Sequence, residues 1–460
     1  MKDNIPVEKN KDYIIDINDQ GHEGQGIGKV EGFTVFVDGA IAGEKVEAKI
    51  VKIEKSFAYG KLFKIIKPSN VRIEPDCSVF NRCGGCHLQH KSYDAQLRFK
   101  TKIVRDAIQR IGGLGDIQIK DTIGMEDPWN YRNKAQYPVG VIDGNMVFGF
   151  YASRTHEIIQ GQDCIIQDKK SYEIAKNVVE FFKENRISAY DEKTGKGLIR
   201  HIIIRTGLNT GEIMLVVVAN GENLPKNKEF VDYMKSKNPQ ITSIILNINK
   251  KNTNVILGYA NKVLAGRDYI MEKLGEYTFK ISPLSFFQVN PIQTEILYGK
   301  AVEYAGLTGK ETVFDLYSGI GTISLFLSGK AKKVYGIEVV EPAVENAREN
   351  AKINGVNNAE FLCGEVEKVM PELYAKGETA NVVVLDPPRK GCEKVLIDTV
   401  VEMGPERIVY VSCNPSTLAR DLKVFAEKGY KVKEIQPVDM FPQTYHVECC
   451  VLLARNEETK

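Results

Sequence analysis

Between residues 10 and 67, apolar and polar positions follow a period of two. "DYIIDIND", "TVFVDGA", "EKVEAKIVKIEK" and "FAYGKLFKII" are short alternating or β-branched runs, with turn-rich "GQGIGKVEG" and "AIAGE" between them. Such runs give each strand one apolar face. Short strands at this spacing predict a five-stranded barrel of OB-like type. In "HLQHKSYDAQLRFKTKIVRDAIQRIG" the apolar positions move to helical spacing, and Gly112–Gly113 ends the run. From about 126 to 280, β-rich runs such as "MVFGFYA", "GEIMLVVVAN" and "ITSIILNIN" surround one clear helix, "SYEIAKNVVEFFKENR". That mixture predicts a central α+β domain. From about 283 onward, strands ("ETVFDLYSGIGTISLFL", "KVYGIE", "AEFLCG", "ANVVVLDPP", "RIVYVSCNP") alternate with helical stretches such as "VEPAVENARENAKING". Strand–helix alternation predicts a parallel, doubly wound α/β sheet. The last two runs, "YKVKEIQPVD" and "HVECCVLLAR", predict an antiparallel hairpin at one edge of it. The expected division is a barrel at 1–68, a central domain at 69–282 and an α/β domain at 283–460.

The length of 460 residues agrees with about three domains. With 43% hydrophobic and 27% charged residues, the chain falls among soluble globular proteins, not disordered ones. The polar start is unlike a signal peptide. The longest apolar run, "IMLVVVA" at 213–219, falls far short of the ~20 residues of a membrane span. A cytoplasmic protein is expected, with no membrane attachment and no obligate protein partner. Basic and acidic residues nearly cancel, 62 against 60, so any nucleic-acid surface must be local. One candidate stands out. Residues 45–67 hold seven lysines against two glutamates, interleaved with Phe57, Tyr59 and Phe63. Lysines for phosphates and rings for bases suit single-stranded RNA. A solvated barrel face with its aromatics in the core is the alternative.

The C-terminal third carries the chemistry. In "VFDLYSGIGT", Asp315 and Tyr317 end a strand and Gly319 and Gly321 follow in a tight turn. Glycine lets the backbone approach a bound group. The pyrophosphate fingerprint is incomplete, and an acidic lead residue poorly suits phosphate. A cofactor with positive charge, such as the sulfonium of S-adenosylmethionine, fits better. Glu338 lies 17 residues past Gly321, near the ~20 expected of a carboxylate that binds ribose hydroxyls. "VVVLDPPRKG" and "IVYVSCNPST" each run an apolar strand into a polar residue, which places Asp386 and Cys413 at the ligand-binding edge. Pro415 fits the first position of a helix, whose dipole would favour a thiolate at Cys413. A thiolate that adds to C6 of a pyrimidine makes C5 nucleophilic enough to take a methyl group. A base must then remove the C5 proton. Glu448, entering an apolar strand in "YHVECCVLL", suits that role if buried. The alternative is a solvent-facing edge-strand glutamate.

Nine cysteines remain to be explained, three of them within "CSVFNRCGGC" at 77–86. A reducing compartment disfavours disulfides. Metal binding, catalysis and plain burial stay open for each thiol.

"DLYSGIGT", "LDPPRKG", "YVSCNPSTLARDL", "YHVECC", "SFFQVN" at 285–290 and "CGGCHLQH" at 83–90 resemble the RNA uracil-5-methyltransferases, nearest to those that make 5-methyluridine in 23S ribosomal RNA. The resemblance spans nearly the whole chain, with the motifs in the family's order. It implies a Rossmann-like S-adenosylmethionine-dependent domain, an N-terminal OB-like TRAM barrel that binds RNA, and a central α+β domain holding a [4Fe-4S] cluster. It implies that Cys413 is the nucleophile and Glu448 the base. It places Gln288, Tyr317, Glu338 and Asp386 at the S-adenosylmethionine site; Gln288 rests on the resemblance alone. It implies that Cys77, Cys83, Cys86 and Cys164 hold the cluster. Four thiolates also suit zinc, which spacing alone would favour. His87 and His90 are expected to pack or touch RNA. Arg389 after Asp-Pro-Pro, where exocyclic-amine methyltransferases place an aromatic, argues against that class. Barrel and cluster together imply ribosomal RNA as substrate. The rival readings are a tRNA T-loop methyltransferase and a non-catalytic, redox-sensing Fe–S protein that binds RNA.

Overall fold

A computed structural model describes residues 5–160 and 163–456. The alternating N-terminal runs form strands β1 (Asp12–Gln20), β2 (Gly26–Val30), β3 (Phe33–Asp38), β4 (Lys45–Ile53) and β5 (Phe57–Lys67). They close into a barrel in the order β1-β2-β3-β5-β4, which leaves no strand edge open. Ile15, Ile17, Val35, Val37, Val46, Ala48 and Ile50 fill its interior, as the alternation requires. Gly28 is needed for the closure: a Cβ there would sit 2.3 Å from the Ile15 side chain. Arg72 in the following linker forks both its Nε and Nη2 onto the buried Glu44 carboxylate, tying the barrel to the rest of the chain.

Helix α1 (Tyr93–Arg110) and the short strand β6 (Gln118–Ile119) come next. The central sheet then forms from β7 (Lys134–Ile142), β8 (Asn145–Tyr151), β9 (Ile158–Gln160), β10 (Ile199–Thr206), β11 (Ile213–Ala219), β12 (Ile241–Ile248) and β13 (Ala260–Gly266), in the order β13-β12-β11-β10-β7-β8-β9. Helices α2 (Lys169–Glu184) and α3 (Asn227–Lys237) cover one face. The other face shares a core with the C-terminal domain, through Ile203, Met214, Val216, Val218 and Ile245. Both faces being covered explains why β10 and β11 are buried throughout and why β11 reads as a continuous apolar run.

After the hairpin β14 (Ile270–Leu274) and β15 (Tyr277–Ile281), helix α4 (Pro291–Ala305) leads into the α/β domain. Its strands and helices alternate as expected: β16 (Thr312–Leu316), α5 (Thr322–Ser328), β17 (Lys333–Glu338), α6 (Glu341–Ile353), β18 (Ala359–Cys363), α7 (Val366–Ala375), β19 (Val382–Leu385), α8 (Lys394–Met403), β20 (Arg407–Ser412), α9 (Pro415–Glu427), β21 (Tyr430–Val438) and β22 (Glu448–Arg455). The sheet order is β18-β17-β16-β19-β20-β22-β21-β6. The last two long strands pair antiparallel, as their patterning predicts, but they are not the edge. β6 adds in parallel beyond β21. Helix α1 also joins this domain, packing Val104, Ala107 and Ile108 into the core that holds Leu418, Ala419 and Leu422 of α9. Residues 93–119, expected in the central domain, therefore lie on the C-terminal sheet. Helical spacing reveals the buried face of α1, not what that face meets. Among the described residues no helix is long and apolar enough to cross a membrane.

Candidate active site

The antiparallel register of β20 and β22 decides the central pair. Ser412 lies opposite Cys449. Cys413 is the next residue, in the bend just past the end of β20, and Glu448 is the first residue of β22, near enough for its charge to act on the Cys413 thiol. Glu448 is only 4% exposed, and burial with the Asp386 charge pushes its carboxyl up to about 8. It is a buried carboxyl of the kind a base needs, not the solvent-facing edge residue. The half-buried Cys413 thiol is pushed up to about 11 by burial, then by Glu448 and Asp386, with Arg389 pulling the other way. The expected stabilisation of a thiolate by the start of α9 is thus outweighed by burial, with the surrounding acids adding to it. Cys449 and Cys450, its neighbours across the ladder, are fully buried in the two opposite cores of the sheet.

Asp386 follows the C-terminal end of β19, and burial pushes its carboxyl up to about 7. Asp315, the penultimate residue of the adjacent β16 and paired with Val384, is fully buried and is also pushed up to about 7 by burial. Its Oδ2 accepts the Ser324 hydroxyl, whereas its Oδ1 has no partner. Gly319 and Gly321 hold the left-handed conformations that the tight turn demands, with φ of 54° and 80°. Glu338 reaches this turn: its carboxylate accepts the Gly319 amide at 3.0 Å and the Val340 amide at 2.9 Å. A carboxylate has about four acceptor directions, so two remain for ligand hydroxyls. The orphaned Asp315 oxygen and the glycine turn beside Glu338 fit an amine- and ribose-bearing cofactor. Tyr317 adopts a left-handed φ of 67° without being glycine, and its hydroxyl is committed to Glu367 at 2.9 Å. Gln288 is joined less directly. Its backbone carbonyl accepts the Asn133 side chain at 3.0 Å, and two residues on, Asn290 donates to the Met440 carbonyl at 3.1 Å.

Sequence reasoning missed the supports of this site. Fully buried Lys100 of α1 donates to Asp439 and, at 3.0 Å, to the Phe441 carbonyl, both in the loop that leads to Glu448. A lysine on the apolar face of α1 was the available signal. Arg389 acts as the cation facing Cys413 and Glu448.

Cys77, Cys83, Cys86 and Cys164 lie around one separate cavity of about 260 Å³, with Phe80, Phe150, Arg132 and Lys134 also in its wall. Burial pushes Cys86 up to about 12 and Cys164 up to about 11, and the other thiols of the set add to both shifts. The structure thus brings together four residues that the sequence separates by as many as 87 positions (164 − 77). Among the described residues no three His, Cys, Asp or Glu side chains are placed to hold a metal ion. His90 packs on Phe80 beside this cavity, and His87 packs on Tyr445.

On the barrel, Phe63 is 72% exposed between exposed Lys61 and Lys64, whereas Phe57 and Tyr59 form a half-buried cluster with Phe36.

A sequence model of the tRNA (uracil-5-)-methyltransferase family matches residues 227–456, and one of the TRAM domain matches residues 6–63. The chain is 52% identical over 453 residues to an uncharacterized RNA methyltransferase of Clostridium tetani, covering 98% of each. It is 54% identical over 457 residues to another of Clostridium acetobutylicum, covering 99% of each. The crystal structure of the Pyrococcus abyssi tRNA (uracil-54, C5)-methyltransferase in complex with S-adenosyl-L-homocysteine is similar at a TM-score of 0.78 and 29% identity, over 96% of this chain and 100% of that one. With its barrel, its doubly wound sheet and these matches over its full length, the chain belongs to the tRNA (uracil-5-)-methyltransferase family of RNA methyltransferases.

Proposed function

We propose that this protein methylates C5 of a uridine in RNA, with S-adenosylmethionine as donor and 23S ribosomal RNA as substrate. The observation that carries the reading is Cys413, just past the end of β20, beside the buried Glu448 carboxyl that starts the neighbouring strand β22. The Cys413 thiolate adds to C6 of the uracil, and the C5=C6 electrons move toward C5 and the O4 carbonyl. S-adenosylmethionine, when bound, supplies an electrophilic methyl group for C5. Ionised Glu448 then takes the C5 proton, the C–H electrons re-form C5=C6, and the C6–S bond breaks to return the thiolate. Glu338 would hold the ribose hydroxyls, Asp386 and Asp315 the positive end of the cofactor, and Tyr317 and Gln288 would line its seat. Arg389 offsets the growing charge at Cys413.

The test uses RNA containing 5-fluorouridine, whose fluorine cannot leave as a proton does. A stable covalent complex is expected with the native protein and none with Cys413→Ala. A complex that persists in that variant would move the nucleophile elsewhere. The choice of RNA needs its own arm. The Pyrococcus tRNA enzyme matches 96% of this chain, and such a match must include most of the barrel. The barrel therefore does not separate the two substrates, and 23S RNA and tRNA are to be offered side by side.

The four-cysteine cavity is read as the seat of a [4Fe-4S] cluster, with zinc the lesser fit. Bound there, the group supplies covalent ties between residues 77–86 and 164 and cancels thiolate charge. Methyl transfer requires no electrons from it. Iron, sulfide and zinc analysis of protein purified without oxygen tests this assignment.

A further inference from the structure

The loop between β21 and β22, residues 439–447, ends on Glu448. Its centre is held by an unusual set of bonds. The Gln443 carbonyl accepts two consecutive backbone amides, His87 at 2.8 Å and Leu88 at 3.0 Å. These follow Cys86 directly. The Gln443 side chain and backbone form a reciprocal pair with Gln96 of α1. Gln96 Nε2 donates to Gln443 Oε1 at 2.9 Å, and the Gln443 amide donates to Gln96 Oε1 at 3.2 Å. Both glutamines are buried, 1% and 2% exposed. Gln443 adopts a left-handed φ of 69°. A non-glycine residue holds that conformation when its surroundings over-determine it. The neighbouring carbonyl of Pro442 accepts the Tyr131 hydroxyl at 3.0 Å, and the His87 ring lies 4.5 Å from that of Tyr445.

A loop with this many buried polar ties has one arrangement available to it, because each broken tie leaves an unpaired group behind. Four residues separate Gln443 from Glu448. We propose that Gln443 is a positioning residue for the base. Through it, the turn after Cys86 and helix α1 set where the Glu448 carboxylate meets the C5 proton, leaving the attack by Cys413 unaffected. Cys413 follows β20 and begins the α9 region, outside this loop. The inference rests on the reading of Cys413 and Glu448 given above.

The two chemical steps can be read separately. A 5-fluorouridine RNA reports thiol attack and methylation, since its adduct forms before any proton is removed. Ordinary uridine RNA reports turnover, and a denaturing gel shows any adduct waiting for the base. Glu448→Gln is the reference. Gln443→Met and Gln96→Met are expected to form the fluorinated adduct at a rate within about threefold of native, to lose about tenfold or more in turnover, and to accumulate adduct on ordinary RNA. Tyr93→Phe removes a single hydroxyl, which donates to Asp439 at 2.9 Å at the start of the same loop, and gives a milder version should a glutamine variant fail to fold. If adduct formation and turnover fall together in the folded variants, or if neither changes, Gln443 does not position the base. Absence of any fluorinated adduct from the native protein would instead overturn the reaction itself.

Discussion

Two places in this chain gather thiols, and burial raises the pKa at both. At the sheet edge one thiol, Cys413, faces Glu448, Asp386 and a single cation, Arg389. In the cavity four thiols face one another, with Arg132 and Lys134 in the wall. The number of thiols does not mark the chemistry. What marks it is the partner: a lone thiol opposite a buried carboxyl can attack and later be released, whereas four mutually repelling thiols need a bound cation to ionise together. The strongest way to break this contrast is to neutralise the carboxyl. Glu448→Gln keeps shape and hydrogen-bonding capacity, so the fold should persist while turnover falls by about 10²–10⁴. Adduct on ordinary uridine RNA should accumulate. Free turnover in this variant, followed by methyl release into RNA, would remove Glu448 as the base.

The converse change acts on the cavity. Cys86→Ser removes one thiol from a cavity whose small apolar surround, Met125, Tyr131 and Ile166, is a satellite of the main cores. A bound metal group that ties this segment together should make its loss cost more than about 3 kcal/mol in unfolding free energy. Cys413→Ala should cost less than about 1 kcal/mol, since its thiol is half-buried and holds nothing together. Denaturant melts of both variants, with metal content measured on each, check the pair. Equal melts would erase the distinction between a structural and a reactive thiol.

How legible each region was in the sequence follows from the same contrast. Asp315, Glu338, Asp386 and Cys413 are readable because each lies within one residue of the end of an apolar strand, and strand ends in a parallel sheet share one edge. The barrel is readable because alternation gives every strand a core face. The closeness of Cys413 to Glu448 is not: it follows from the pairing of β20 with β22, register is a property of two strands, and neither "YVSCNP" nor "YHVECC" contains the other's phase. The thiol's neighbours also escaped. A dipole argument from Pro415 favours a thiolate, yet burial, helped by two nearby acids, reverses the sign. Likewise α1 has a clear apolar face, but docking on α9 and Lys100 reaching Asp439 depend on residues more than 300 positions away.

The barrel offers a change that touches neither thiol region and so isolates binding from both. Phe63→Ala removes an exposed ring between two lysines. Stacking of one base on such a ring is worth about 1–3 kcal/mol, so affinity for substrate RNA should drop about tenfold. Turnover at saturating RNA should be unchanged. Removing Lys61 should instead lower the slope of binding against log salt by about one. A Phe63→Ala protein that binds normally would leave this barrel face as solvated surface.

The smallest effect concerns pH, and it sets the carboxyl and the thiol against each other. Glu448 ionises near 8 and Cys413 near 11. If proton removal limits turnover, the rate should rise about fivefold from pH 7 to 8 and level off above 9, following ionisation of the base. If thiolate formation limits it, the rise should continue at about tenfold per unit well past 9. The unfolding equilibrium supplies an independent reading. Asp315, Asp386 and Glu448 all titrate higher in the folded chain than the usual carboxylate. The stability each contributes is fully present below its unfolded pKa, near 4, and is lost as pH rises through about 7 to 8. Glu448→Gln cannot ionise, so its stability relative to the native protein should rise by about 2–3 kcal/mol between pH 6 and 9. A difference that shrinks over that range would mean the carboxylate is already ionised and compensated at neutral pH, and the base would then owe its reactivity to placement alone.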